Sequence, residues 1–395
     1  MVGAESLLGR RTGVGRMTLQ IARMLLASGQ ISEALLVAGS RSLPASLLDE
    51  LGEQNAELPG MRCSRVRALP AQLHRLPGLP ALRRALLQRR QTRAIAELTA
   101  RAGGRLVYHE PNMIARPFDG TTVITINDLS WRLHPEMHPA DRVKWIERRL
   151  PQSLRQADRI ITISEFTAQE AVAHLGIARD RITVAPLAPS AVFRPIVGEQ
   201  AMPALQRWGL ADREFILSVS TLEPRKNFDG LLTAYLRLPE RLRARIPLVV
   251  SGGSGWGKIL TSQLAERARA SGELRLLGHV EDEALAALYS RCAAFAFPSF
   301  YEGFGLPVIE AMACGAPVIA AGTTAVGETA GDAALLIDPA EPAAIEEALR
   351  RVIEDDAAAN ALRERGLARA AQFTWDATFD RVVGAWRQAL VENGL

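Results

Sequence analysis

Short apolar runs and amphipathic stretches alternate along most of the chain. Runs of aliphatic and β-branched residues recur at Leu35–Ala38, Arg105–His109, Thr122–Ile126, Arg159–Thr162 and Arg181–Ala185, each bounded by polar or turn-forming residues. Between them, apolar positions at helical spacing predict helices over Gly15–Ser28, Leu79–Arg101, Ala140–Ala157 and Phe166–Leu175. Continuous rather than alternating apolar strands suit parallel sheets covered on both faces, and strand-helix alternation predicts such sheets flanked by helices.

Pro186, Pro189 and Pro195 break this pattern within "APLAPSAVFRP", which reads as a linker. A second series of strands follows at Phe215–Val219, Pro247–Val250, Leu274–Leu277, Ala294–Phe297, Val318–Ala320 and Ala334–Ile337, and its helices end in an Ala/Arg/Glu-rich run from Glu341 to Ala371. The expected fold is therefore α/β: two doubly wound domains, residues 1–192 and 193–374, facing one another across a cleft, with residues 375–395 as a final helix. In such domains ligands sit at the carboxyl ends of the strands.

Composition changes this picture little. A chain of 395 residues exceeds what one core usually serves, which agrees with two domains. Hydrophobic residues make up 48% and charged residues 23%, with no apolar run long enough for a membrane span and no leader pattern at the start, so the cytoplasm is the expected compartment. Cys63, Cys292 and Cys314 are scattered and odd in number, which favours reduced thiols over disulfides or zinc.

The net charge of +4 is unevenly placed: nine arginines lie between Arg62 and Arg93, while no acidic residue falls between Glu57 and Glu97. Part of this stretch has an amphipathic pattern, open to two readings: an ordinary solvated helix face, or a surface that meets an anionic membrane peripherally. It lacks the aromatic residues that nucleic-acid binding would use.

The stretch "FPSFYEGFGLPVIEAMACGAPV" carries the most chemistry. A strand ending near Phe297 passes through an acid-glycine turn, Glu302-Gly303-Phe304-Gly305, into a helix starting near Leu306. Glycines let backbone N–H groups approach a ligand closely, and a helix N-terminus favours anionic groups, a geometry suited to a sugar diphosphate. Glu310 lies within that helix among Val308, Ile309, Ala311 and Met312, so its carboxylate needs a partner. In "SVSTLEPRKNFDGLL", Arg225 and Lys226 stand at a strand-to-helix junction, where adjacent cations can clamp a diphosphate.

Together these stretches resemble the retaining nucleotide-sugar glycosyltransferases of family 4, whose fold is GT-B, and in particular bacterial mannosyltransferases of group 1. The Glu-x7-Glu spacing of Glu302 and Glu310, the Arg-Lys loop and the "GGSGWG" loop at Gly252–Gly257 stand in that family's order. In the first domain "RRTGVGRMTLQIARML", "YHEPN" and "DRIITISEFTAQEAV" match its Gly-rich loop, second-strand region and penultimate helix. The resemblance implies a first domain facing the acceptor, a second holding the nucleotide-sugar, and a last helix crossing back to the first.

It also implies roles. Glu302 would hold donor-sugar hydroxyls and Glu310 the ribose; Gly303, Phe304, Gly305 and Leu306 would offer backbone contacts; Arg225 and Lys226 would bind the diphosphate. Gly253 and Val280 mark the loops near the nucleotide, and Gly13 and Gly15 would approach the donor phosphate from the first domain. Retention without a protein nucleophile resembles front-face substitution, which needs no metal. Glu281-Asp282-Glu283 and Glu354-Asp355-Asp356 imitate metal-binding clusters, and both read as structural.

One position departs from the family. Relatives place His-Asp where "TTVITINDLSW" has Asn127-Asp128, and Asn cannot take a proton. Asn127 would then orient the donor sugar, or cap its loop. The opening "MVGAESLLG" also leaves little room for a first strand.

The reading is transfer of a hexose, mannose from GDP-mannose, to a glycan or lipid-linked glycan in surface polysaccharide synthesis at the cytoplasmic membrane face. Alternatives are a UDP-sugar donor, a nonhydrolysing UDP-sugar epimerase, and a non-catalytic nucleotide-sugar-binding scaffold. "GRRTGVGR" does not supply the spacing of a nicotinamide-binding fingerprint.

Overall fold

The computed structural model describes residues 1–7, 13–29, 34–38, 41–43, 92–93, 95–103, 105–210 and 214–395. Cys63 and residues 62–91 of the basic stretch lie outside them. Arg93, at the stretch's end, is exposed and pairs with Glu97 four residues on at 2.8 Å.

Residues before the linker build a seven-stranded sheet: β1 (Val2–Gly3), β2 (Leu36–Ala38), β3 (Arg41–Leu43), β4 (Tyr108–Glu110), β5 (Thr122–Ile126), β6 (Arg159–Thr162) and β7 (Ile182–Val184). Its order is β3-β2-β1-β4-β5-β6-β7, parallel except for β3, which runs antiparallel to β2. The short opening does supply a strand of two residues, and it lies inside the sheet between β2 and β4: Val2 pairs with both Leu36 and His109.

After the linker, β8 (Ile216–Val219), β9 (Leu248–Ser251), β10 (Leu274–Gly278), β11 (Ala294–Phe297), β12 (Val318–Ala321) and β13 (Ala334–Ile337) form a parallel sheet of order β10-β9-β8-β11-β12-β13. Strand β11, Ala-Phe-Ala-Phe, is buried at every residue, as a central parallel strand covered by helices on both faces must be. The long Ala/Arg/Glu-rich run is two helices, Pro342–Glu354 and Asp356–Ala370; between them Asp355 accepts a hydrogen bond from the Ala358 N–H at 2.9 Å and so caps the second.

Both sheets reverse their winding at one place, between β1 and β4 in the first and between β8 and β11 in the second. The loops that leave neighbouring strands at a switch point diverge to opposite faces and open a crevice between them. In the second sheet those two loops carry Arg225-Lys226 and Glu302. Motifs 77 residues apart in sequence thus become neighbours because of strand order.

The last helix, Trp375–Glu392, starts from a Thr374 cap that accepts from the Ala377 N–H at 3.2 Å, and it lies on the first sheet. Arg381 Nη1 donates to the Val184 carbonyl at 3.1 Å, Arg159 pairs with Glu392 at 3.2 Å, and the Trp386 ring meets the His109 ring edge-on at 5.5 Å. One apolar cluster runs through the whole contact, from Met17 and Ile21 in the helix Gly13–Ala27 to Phe297, Val308 and Val326 of the second domain and Val382 of the last helix. The two domains therefore meet over a continuous core, with the switch-point loops in the seam.

Candidate active site

The residues leaving β8 and β11 converge on a buried carboxylate. Glu302 is 8% exposed, and it receives a bond from Arg225 Nη1 at 2.9 Å, one from Ser299 Oγ at 2.8 Å and a short contact from Lys226 Nζ. Arg225 also binds Glu223 at 2.9 Å and the Tyr301 carbonyl at 3.1 Å. Burial alone would raise the Glu302 pKa, yet the Lys226 and Arg225 charges overcome it and hold the group at about 2. Lys226 is buried beside Arg225 and against the Phe297 ring, and its pKa falls for the first two reasons despite Glu302. Two cations and two acids, Glu302 and Glu223, thus share a buried site in which each charge has a partner, so a diphosphate would bind there by competing with the carboxylates for the Arg225 and Lys226 donors.

Asn227, after the Arg-Lys pair, adopts a left-handed backbone at φ 56° and leads into the helix Phe228–Arg237; its amide donates to the Pro339 carbonyl at 2.7 Å. That bond anchors the Arg-Lys loop to the segment after β13. The loop is also zipped to "GGSGWG": Leu222 N–H donates to the Gly253 carbonyl at 3.0 Å. Close backbone approach in that loop occurs at Gly252 and Gly255, where a Cβ would fall 1.7 Å from the Ser220 carbonyl and 2.4 Å from that of Leu222. The sequence had marked Gly253; the positions that exclude a side chain flank it.

The helix Leu306–Ala313 begins at Gly305, whose φ of 94° is open to glycine and costly for other residues, with Pro307 in the first turn. Phe304 and Leu306 bracket that turn, and the Phe304 carbonyl accepts from Thr329 Oγ1 at 2.7 Å. Glu310 follows, 3% exposed, and its partner comes from the other domain: Arg16 in the helix Gly13–Ala27 binds it through Nη1 and binds Asp282 through Nη2 at 2.5 Å. Burial pushes the Glu310 carboxyl up to about 7, with Arg16 opposing the rise and Asp282 adding to it. Asp282 heads the helix Asp282–Arg291, so it is more than a helix-start acid: it is half of an ion pair between domains. Just before it, Val280 is buried in the core, leaving backbone as what this loop can offer a base.

Gly13 and Gly15 fall inside the first turn of their helix rather than in a loop before it; Gly13 is exposed and Gly15 buried. Gly303 packs directly on the first domain, because a Cβ there would lie 1.8 Å from the Asn127 carbonyl. Thr167 Oγ1 donates to the Gly303 carbonyl at 3.3 Å, and Tyr301 reaches both Glu170 and the Leu129 N–H, the latter at 3.1 Å. Asn127 therefore stands at the seam through its main chain, while its side-chain amide donates to the Pro111 carbonyl at 3.0 Å. Asp128 accepts from the Ser130 N–H and hydroxyl at 3.0 and 2.7 Å.

Two further seam contacts were not read from the sequence. Trp256 of "GGSGWG" donates to the Met137 carbonyl at 2.8 Å, with the His138 ring 5.6 Å away and the Arg142 guanidinium 5.2 Å from its ring. Glu328 caps the helix Glu165–Leu175 from the opposite domain, accepting from Glu165 and Phe166 N–H groups at 2.9 and 2.8 Å. Among the described residues no group of three or more acidic, His or Cys side chains is arranged to hold a metal ion, and no helix is long and apolar enough to cross a membrane.

Two facing doubly wound domains with an acid-cation cluster in their seam define a sugar-transferring enzyme of the GT-B architecture. The chain belongs to the group 1 glycosyltransferases: the family model for glycosyl transferases group 1 matches residues 205–369, and a glycosyl transferase 4-like domain matches residues 12–188. It is 37% identical over 376 residues to the O-antigen chain mannosyltransferase B of Escherichia coli, covering 95% of this chain and 96% of that one. It is also 34% identical over 229 residues to the serotype-specific mannosyltransferase WbdA of Escherichia coli, covering 56% of this chain and 27% of that longer protein. Among solved structures it resembles Anabaena Alr3699/HepE in complex with UDP-glucose (TM-score 0.69, 18% identity, 98% of each chain) and WaaG, a glycosyltransferase involved in lipopolysaccharide biosynthesis (TM-score 0.65, 15% identity, 94% and 95%). At those identities the likeness is one of fold.

Proposed function

We propose that this glycosyltransferase moves mannose from GDP-mannose, with retention, onto a glycan or lipid-linked glycan during bacterial surface polysaccharide synthesis. The observation that carries the reading is the Arg225-Lys226-Glu302 cluster at the switch point of the second sheet, with the main chain of Asn127 from the first domain packed on the neighbouring Gly303. The mannose and polysaccharide assignments are supported by the similarity to O-antigen chain mannosyltransferase B along nearly all of both chains.

In this reading Arg225 and Lys226 bind the donor diphosphate, Glu302 positions the two cations and accepts from sugar hydroxyls, and Glu310 accepts from the ribose. The backbone of Gly303 to Leu306 meets sugar and phosphate, that of Gly253 and Val280 lies near the nucleotide, and Gly13 and Gly15 leave room on the first domain. The bond from the anomeric carbon to the phosphate oxygen breaks as the bond to the acceptor oxygen forms on the same face. The acceptor hydroxyl gives its proton to the departing phosphate oxygen, so no protein base and no metal takes part. Asn127 orients the sugar, and the protein's contribution is placement plus stabilisation of the leaving diphosphate. Reaction with an acceptor glycan extract and GDP-mannose, followed by NMR of the new linkage, tests this; an inverted anomer overturns the mechanism.

A UDP-sugar donor is the second reading, favoured by the UDP and UDP-glucose complexes of the similar HepE. Calorimetric titration with GDP and UDP separates the two, and tighter UDP binding removes the guanine assignment. We further propose a cytoplasmic location with peripheral contact of the Arg62–Arg93 stretch to anionic lipid, tested by sedimentation with phosphatidylglycerol vesicles.

A further inference from the structure

We propose that Arg16, a first-domain residue, is a positioning residue for the nucleotide: it clamps the Glu310 carboxylate of the second domain in place for the ribose hydroxyls of the donor. The inference rests on the reading of Glu310 as the ribose-holding acid.

Glu310 sits in a helix whose neighbouring residues are apolar, and burial there favours its neutral form. A vicinal diol donates two O–H groups, which a carboxylate accepts with both oxygens; a neutral acid keeps one oxygen as a donor and accepts less. Among the described residues, the groups facing Glu310 are Asp282 and Tyr289 from the helix Asp282–Arg291, Cys314 just beyond its own helix, and Arg16. Asp282 repels it, and burial holds Tyr289 and Cys314 neutral. Arg16 supplies the positive charge, itself steered by Asp282 at 2.5 Å and by the Phe193 ring 5.5 Å from its guanidinium.

Because Arg16 belongs to the first domain and Glu310 to the second, this support exists only while the domains meet. Domain closure and nucleotide affinity are thereby coupled: the nucleotide is held best by the arrangement in which the acceptor side is already in place. The guanidinium fork meets Glu310 through one nitrogen only, the other being spent on Asp282.

Calorimetric titration of the full chain with GDP and with 2′,3′-dideoxy-GDP, the UDP pair alongside, tests the coupling in the wild type, Arg16→Gln, Arg16→Lys and Glu310→Gln. Arg16→Gln is expected to weaken GDP binding about tenfold near pH 6.5, where Glu310 without Arg16 stays neutral, and only about twofold near pH 8.5. Binding of the dideoxy analogue should stay unchanged, and Arg16→Lys should recover most of the loss. An Arg16→Gln loss equal at both pH values, no loss, or tighter GDP binding overturns the proposal; the last would make Arg16 a competitor of the ribose. Glu310→Gln separates the two layers: if it still discriminates GDP from the dideoxy analogue as the wild type does, the ribose role itself fails.

Discussion

Glu302 and Glu310 belong to one turn-and-helix motif, are both buried, and are held in opposite ways. Glu302 takes its counter-ions, Arg225 and Lys226, from its own domain, and its pKa is low at about 2. Glu310 takes its counter-ion, Arg16, from the other domain, shares it with Asp282, and titrates at about 7. Two nearby cations outweigh desolvation, while one shared cation does not. The first site is complete within the nucleotide-binding domain; the second is assembled only where the domains touch.

The largest effect that would sharpen this contrast is expected from Glu302→Ala. Transfer should fall about a thousandfold, and unfolding should become easier by about 3 kcal/mol because two cations lose their buried partner. Steady-state kinetics and chemical denaturation measure both, and an unchanged denaturation midpoint would break the picture of a preformed triad. Gly303→Ala comes next: its Cβ meets the Asn127 carbonyl, so kcat should drop about a hundredfold through misplacement of the domains. Nucleotide binding, which shares the Gly303 backbone, should fall by less than kcat does, and a loss of binding equal to the loss of kcat would sink the separation of roles.

A smaller effect concerns pH. The folded pKa of Glu310 lies above its ordinary value of 4.5, so its contribution to stability is full below pH 4.5 and is lost as pH rises through about 7. Glu310→Gln should therefore gain on the wild type by about 2 kcal/mol between about pH 4 and about pH 6. Glu302 works in the other sense, stabilising above pH 4.5 and ceasing to do so as pH falls through about 2. Thermal melts across pH decide, and a flat difference for Glu310→Gln would equate the two acids. The smallest change is expected from Asn127→Ala, about tenfold in kcat, since one hydrogen bond to the Pro111 carbonyl and one sugar contact are worth roughly 1.4 kcal/mol together.

Much of the scaffold was legible. Strands β5, β6 and β11 occupy the residues that their apolar runs marked, because a fully buried parallel strand leaves no polar face to blur the pattern. Strand β1 was not legible: two residues cannot show a period, and Val2 and Gly3 become a strand only because β2 and β4 flank them. At the site, the need of Glu310 for a partner could be read from its apolar neighbours, but its identity could not. Arg16 stood in the quoted Gly-rich motif without a role, and Asp282 looked like an acid at a helix start. The signal that could have joined them was charge: an arginine beside a glycine pair and a lone acid in an apolar helix, each needing the other.

By itself the sequence determined the alternation of strand and helix, the two-domain division of that pattern, and the kinds of groups each loop carries, since backbone preference and burial periodicity act over a few residues. Tertiary structure decided which groups meet. The Arg16-Glu310 contact spans 294 positions in sequence, and hydrogen bonds and ion pairs act over a few ångströms, so only strand order and the docking of one domain on the other could bring them together.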